Sequence, residues 1–595
     1  MTRTRTRTWL ACAFALAACS NHADGDDIST ATLAVDPPSV ELLIENGTPA
    51  KQAYTATLEF PDGTTRDVTS DVNFYIDGAY GGFAGSNLTM LSAGKTTVMA
   101  NLGTDKQGTA EVLARVKDVR VDPSVPANAP DLFDSLPEDA ARAPHVVYPA
   151  ADVIMPRNLG DFEVHWTDTS GNDVFEISLA TEFSDVRMYV PGNNGLPAAG
   201  SYPSWAAFQT AEWNAAVSQE GAVTYQVRGI SSASPVSVGS APAQTVKLSN
   251  EQMEGGLYYW AAGASDGIYG IFRHDMSKPG QPAEQFMTTA QTNGRCVACH
   301  VLSRDGTKMA ITYDGGGIPG QANGNATLVD VATATLQTEA NKWNFGTFTP
   351  DASEILTVES GQLSVRRTTD QSVITTMPAA GYVTHPDLSA DGQHLVYVRN
   401  AGTIGTGADW SFGGGSIYQR TYDQSTHTFG NETPVVTDGN NNYYPSFSPD
   451  GQWILFNRTV VNGTNNDAYN DQFAIVLAVR ADGTSAPVEL TKLNIATGLT
   501  NSWARWASFP QSLGPNLTPM MWVTVSSKRD FGVRLVNSVI PKLEDQFPQL
   551  WMTPFFPDQA TIQMDPSAPA FRLPFQNLNS RNHIAQWTER VVVTQ

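Results

Sequence analysis

Apolar and polar positions alternate with a period of two through much of the chain. Tyr54, Ala56, Leu58 and Phe60 alternate with Thr55, Thr57 and Glu59. Phe162, Val164 and Trp166 alternate with Glu163 and His165, and Val223, Tyr225 and Val227 with Thr224 and Gln226. Successive side chains of a strand point to opposite faces, so these runs predict half-buried β-strands. On this pattern His165 lies on the polar side of its strand and is expected at the surface. Pro61-Asp62-Gly63 ends the first run as a turn.

From residue 251 onward a diverged repeat replaces simple alternation. Val301-Leu302-Ser303-Arg304-Asp305-Gly306, Thr347-Phe348-Thr349-Pro350-Asp351, Asp387-Leu388-Ser389-Ala390-Asp391-Gly392 and Ser446-Phe447-Ser448-Pro449-Asp450-Gly451 are four copies. Each precedes an apolar run, such as Leu395-Val396-Tyr397-Val398 or Trp453-Ile454-Leu455-Phe456. Strand, Asp-Gly-type turn and strand predict the inner hairpin of a propeller blade. Trp503-Ala504-Arg505-Trp506 is a weaker fifth copy, and Ile584-Ala585-Gln586-Trp587-Thr588 a sixth. The anchors Leu302, Phe348, Leu388, Phe447, Trp506 and Trp587 are 46, 40, 59, 59 and 81 residues apart, one four-stranded blade plus insertions. Leu257 to Trp260 and Ile268 to Phe272 are strands lacking an inner hairpin. The tail from Ile584 to Val593 is expected to supply it, closing six blades without an open edge.

The repeat closely resembles the TolB-type β-propeller. Ahead of it, Asp67-Val68-Thr69, Ser92 to Thr96 and Ala110-Glu111-Val112 resemble a bacterial immunoglobulin-like domain, and the strands up to Leu248 are similar to fibronectin type III. The expected fold class is all-β: two amino-terminal sandwiches, then a six-bladed propeller. The expected segments are 1–18 (signal), 19–31 (tether), 32–116 (immunoglobulin-like), 117–250 (fibronectin-like, with a Pro-rich acidic separator from Asp122 to Pro144) and 251–595 (propeller).

Composition changes the picture mainly at the amino terminus. Arg3, Arg5 and Arg7 precede an apolar run from Trp9 to Ala18, too short to span a bilayer. Leu16-Ala17-Ala18-Cys19 resembles the lipobox of bacterial lipoproteins. That resemblance implies cleavage before Cys19, lipid on Cys19 and a membrane anchor, with Ser20 leaning toward the outer membrane. Charge falls from −23 over the whole chain to −26 without the first 18 residues. With no basic stripe, nucleic acid is excluded as a natural partner, and a cationic protein is favoured.

Of four cysteines, Cys12 leaves with the signal and Cys19 takes lipid, leaving Cys296-Val297-Ala298-Cys299-His300. Two thiols at i and i+3 can add to the two vinyl groups of a porphyrin, and the adjacent imidazole then reaches the iron. Cys296 and Cys299 are thus candidate thioether anchors of one covalent haem c, and His300 its proximal ligand. A Cys296–Cys299 disulfide and a zinc site are the alternatives. The motif beside a propeller strand resembles bacterial lipoproteins that combine a TolB-like propeller with a cytochrome c motif.

Aligned repeats put Cys299 level with Phe345, His385, Tyr444 and Trp503, and His300 level with Gly346, Pro386, Pro445 and Ala504. These positions begin the innermost strands and are expected to ring the channel mouth. His385 is the candidate distal metal ligand, with His583 the runner-up and His394 and His427 facing solvent. There is no G-x-S-x-G nucleophile elbow and no obvious acid pair. The Asn465 to Gln472 loop is mostly amide, and Asp314 to Gly317 and Asp438 to Asn442 read as plain loops. The leading expectation is a haem c envelope lipoprotein carrying single electrons to or from a redox partner. A haem-dependent oxidase or peroxidase, and a haem-free scaffold for envelope proteins or glycans, are the rivals.

Overall fold

A computed structural model describes residues 28–192, 202–218, 221–263, 269–313, 326–337, 343–378, 381–402, 409–459, 468, 473–495, 499–534 and 547–593. Cys19, the Asp314 to Gly317 turn and most of the Asn465 to Gln472 loop therefore lie outside the described residues. Contacts divide the chain into two compact units, residues 1–44 with 49–114 and residues 45–48 with 115–595.

In the first unit, Thr55–Glu59 pairs antiparallel with Thr32–Asp36 and Thr65–Asp67, and Asn87–Met90 with Ala50–Ala53 and Gly81–Ala84. The alternating positions do face inward: Tyr54, Ala56 and Leu58 are buried beside Leu88 and Met90. Phe74 and Phe83 stack at 5.5 Å and complete that core.

The second unit opens with two packed sheets. Val174–Ala180 lies between Ser184–Pro191 and Ala222–Ile230, and Phe162–Asp168 lies between His145–Tyr148 and Tyr202–Phe208. The helix Thr210–Val217, absent from the strand pattern, is built on a capping box between Gln209 and Glu212. Its Trp213 stacks on Phe162 at 4.7 Å and donates its indole N–H to the Arg157 carbonyl. The Pro-rich stretch expected as a separator instead folds onto this unit. Its helix Ala129–Ser135 buries Phe133 against Val174, Tyr189 and Ile230.

His165 corrects the surface assignment: it is fully buried. The propeller segment Phe531–Arg534 covers the polar face of its strand. Val533 donates its backbone N–H to His165 Nδ1, Glu163 lies 3.0 Å from Nε2, and Arg534 bonds both Glu163 oxygens at 2.9 Å. Alternation reports two faces; here both are covered, one by the sandwich core and one by a neighbouring domain.

Among the described residues, six four- or five-stranded sheets form the propeller. Their innermost strands are Ser580–Thr588, Val297–Leu302, Phe345–Phe348, Tyr382–Leu388, Asn441–Phe447 and Asn501–Leu513. We number the blades 1 to 6 in that order. Each inner strand contacts the next, and blade 6 contacts blade 1, so the ring is closed. The carboxy-terminal strand pairs antiparallel with Gly256–Gly263, placing Trp587 opposite Leu257. An edge that would otherwise be open is thereby satisfied.

The repeated turn has a local cause. Ser303, Ser389 and Ser448 each donate a hydroxyl to the aspartate two residues on, and each accepts the N–H five residues on. Thr349 repeats the arrangement with Asp351 and Glu354. The residue after the aspartate is left-handed: Gly306, Gly392 and Gly451 have φ near +70°, and Ala352, in the copy lacking glycine, holds φ +56°.

Candidate functional site at the channel mouth

The innermost strands start at one end of the ring, and most carry a bulge there. Register shifts between Val297 and His300, Thr384 and Asp387, Tyr443 and Ser446, and Ser502 and Arg505. At the bulge the chain turns left-handed, with φ of +47° at His385, +51° at Tyr444, +53° at Trp503 and +57° at Ile584. Non-glycine residues held in this region are strained and are kept there by their surroundings. A bulge breaks strand alternation, which is how the sequence neighbours Cys299 and His300 come to line the same cavity.

That cavity holds about 40 Å³ and also borders Phe345, His385, Tyr444 and Trp503. The four rings form a contiguous cluster: Phe345 meets His385 edge-on at 4.3 Å, His385 lies 4.3 Å from Tyr444, and Tyr444 stacks on Trp503 at 4.0 Å. His300 is buried at 5% exposure. Cys296 and Cys299 are half-buried and not joined in a disulfide, and burial pushes the Cys299 thiol up to about 11. The Cys296 thiol points to the Val297 carbonyl.

His385 is buried, and Nδ1 accepts the Tyr444 N–H at 3.3 Å. Its Nε2 has no hydrogen-bond partner among the described residues. Burial among rings, with Arg505 nearby, holds its pKa well below the usual histidine value, so the ring is neutral. In a neutral ring whose Nδ1 lone pair is engaged, the proton sits on Nε2. As folded, Nε2 of His385 is therefore an N–H donor, and metal ligation through Nε2 requires the Tyr444 bond to break. His583 belongs to the closing strand, where burial with Lys528 and Arg581 lowers its pKa to about 4. His394 is exposed, as expected, while His427 is half-buried with Nδ1 3.3 Å from Glu354.

A ring of channel-facing residues went unremarked in the sequence. One position after His300 and its equivalents come Val301, Thr347, Asp387, Ser446, Arg505 and Gln586, all bordering a second cavity of about 90 Å³. Burial raises the Asp387 carboxyl to about 6 against the pull of Arg505, and Asp387 accepts the Phe447 N–H at 2.7 Å. Arg505 donates to the carbonyls of Tyr444 and Ala504, and burial lowers its pKa. The available signal was one acid and one arginine at a repeat position otherwise occupied by small or neutral residues.

Two thiols three residues apart and a neighbouring imidazole are the donor set a covalent haem requires, so the residues fit the group chemically. The cavity as folded is smaller than the roughly 300 Å³ of a small ligand pocket, so a bound group would extend beyond it.

No family model matches the chain, and no curated protein matches it. Solved structures similar to it include TolB from Acinetobacter baumannii, 14% identical, covering 64% of this chain and 85% of that one with a TM-score of 0.36. Kuenenia stuttgartiensis hydrazine synthase is 15% identical over 47% of this chain and 67% of that one, with a TM-score of 0.30. The class of protein rests on the strands themselves: an all-β chain with a closed β-propeller. Among the described residues no helix is long and apolar enough to cross a membrane.

Proposed function

We propose that this protein is a haem c-bearing lipoprotein of the bacterial envelope that passes single electrons to or from a partner protein. The observation that carries the reading is that Cys299, His300 and His385 line one cavity at the channel mouth, with Cys296 three residues before Cys299. Cys296 and Cys299 would hold the haem covalently, and His300 would bind its iron. The bound haem would supply a reversible one-electron couple. The chain's own part is to hold these groups at one end of a closed ring and to bury His300 away from bulk water. Lipid on Cys19 would tether the protein, and the acidic chain would favour a cationic redox partner.

The test is expression in cells competent for haem attachment, followed by mass measurement after denaturation. One haem added to the mature chain, absent from the Cys296→Ser/Cys299→Ser variant, is expected. A wild-type mass equal to bare polypeptide would sink the reading. Cys19→Ala should move the protein from the membrane to the soluble fraction.

One observation favours a second reading, a haem-dependent oxidase or peroxidase-type enzyme. His385 lines the cavity, and in the tautomer set by Tyr444 its Nε2–H would be a donor for a small acceptor, which suits a site left open to an exogenous ligand.

A further inference from the structure

Away from the channel, a cleft of about 550 Å³ lies between the sandwich of the second unit and blade 1. Its size falls within the roughly 300–1,000 Å³ typical of small-molecule sites. Its walls are held in place by the fit of the two domains. The Asn158 side chain donates to the carbonyls of Met253 and Met276 and accepts the Met253 N–H at 2.7 Å. Gly160 and Gly280 pass so closely that a Cβ on Gly160 would stand 2.8 Å from the Gly280 nitrogen. Asp161 accepts both the N–H and hydroxyl of Thr210.

One wall is a continuous aromatic surface. Phe272 stacks on Tyr259 at 6.0 Å, Tyr259 lies 6.2 Å from Phe575, and Phe575 stacks on His274 at 3.9 Å. Phe272 and Phe575 are half-buried and present ring surface to the cleft. His274 is 5% exposed and lines the cleft. Burial lowers its pKa to about 4, so it carries no charge near neutrality. The rim carries the amides Gln281, Gln285 and Asn577, and no lysine or arginine is among the described lining residues.

Flat aromatic faces suit the C–H faces of sugar rings, and amides donate to and accept from hydroxyls at once. A lining without cations in a strongly acidic protein disfavours an anion. An aromatic wall near a carboxylate would also suit an ammonium ion, but Asp161 is the one carboxylate among the described lining residues, against four amide side chains. We propose that this cleft binds a neutral oligosaccharide of two or three units, stacked on Phe575 and Phe272 and hydrogen-bonded to His274 and the rim amides. The inference is independent of haem at the channel mouth.

The test is calorimetric titration of the whole protein with maltotriose, cellotriose and tri-N-acetylchitotriose, with trigalacturonate and choline as charged probes. At least one neutral trisaccharide should bind at millimolar concentration or below, with neither charged probe binding as tightly. Phe575→Ala should weaken that binding about tenfold, the scale of one aromatic contact. Gln285→Ala, an exposed rim change that leaves the packing intact, should weaken it several-fold and guards against a misfolded Phe575 variant. No binding of any neutral trisaccharide, tighter binding of trigalacturonate or choline, or binding indifferent to Gln285→Ala would overturn the proposal.

Discussion

The backbone N–H of Tyr444 donates to Nδ1 of His385 across 3.3 Å, joining the innermost strands of two adjacent blades. This contact sets the tautomer and so decides what His385 presents to the cavity shared with Cys299 and His300. The consequence is spectroscopic. Haem-loaded protein is expected to be high-spin and open to carbon monoxide, and His385→Ala should leave the spin state unchanged. Conversion of a low-spin wild type to high-spin by His385→Ala would show that Nε2 ligates iron after releasing Tyr444.

Ring closure depends on Ser580–Thr588, which pairs with Gly256–Gly263. Truncation before Ser580 exposes a long unpaired edge and should give aggregated protein on size-exclusion chromatography. Within the intact chain, the buried Trp587 donates its indole N–H to Thr524 at 3.1 Å. Trp587→Ala should destabilise by about 3–5 kcal/mol in denaturant unfolding. A soluble, monomeric truncation with wild-type stability would mean that blade 1 does not need this strand.

Asn158→Ala removes three buried hydrogen bonds between the sandwich and the propeller. Leaving their backbone partners unsatisfied should cost about 3 kcal/mol and split one unfolding transition into two by calorimetry. A single unshifted transition would show that the remaining contacts suffice.

Acid should weaken the fold before most carboxylates titrate. Burial holds His274 near a pKa of about 4 and lowers those of His165 and His385. Between the usual histidine value and those lowered values the unfolded chain binds more protons, so stability falls as pH drops through that window. His274 alone contributes roughly 3 kcal/mol across it. Asp387, raised to about 6, opposes this between its ordinary value and 6, as do Asp409 and Asp530, which burial also raises, while His583, lowered to about 4, adds to the fall. His274→Phe, which keeps a ring on Phe575, should flatten the fall in Tm between pH 7 and 4. An identical pH profile in this variant would count against the assignment.

Much of the architecture was legible because its causes are local. The turn after each inner strand is held by a hydroxyl, an aspartate and an N–H within five residues, so it reads in any copy and survives where Ala352 replaces glycine. The helix Thr210–Val217 was missed because it is a short insertion whose buried face is only Trp213, Ala216 and Val217. The Asp122 to Pro144 segment looked like a linker because its burial rests on Phe133 meeting residues 40 to 100 positions away.

The sequence by itself determined the all-β class, the repeat and its closing strand, and the spacing of Cys296, Cys299 and His300, since period-two burial and turn chemistry act between near neighbours. Tertiary structure decided the rest. His165 is buried by residues more than 360 positions away, the bulge turns Cys299 and His300 to one cavity, and the Tyr444 N–H selects the His385 tautomer. Burial, side-chain direction and protonation depend on what packs against a residue, and those neighbours are brought together only when the ring closes.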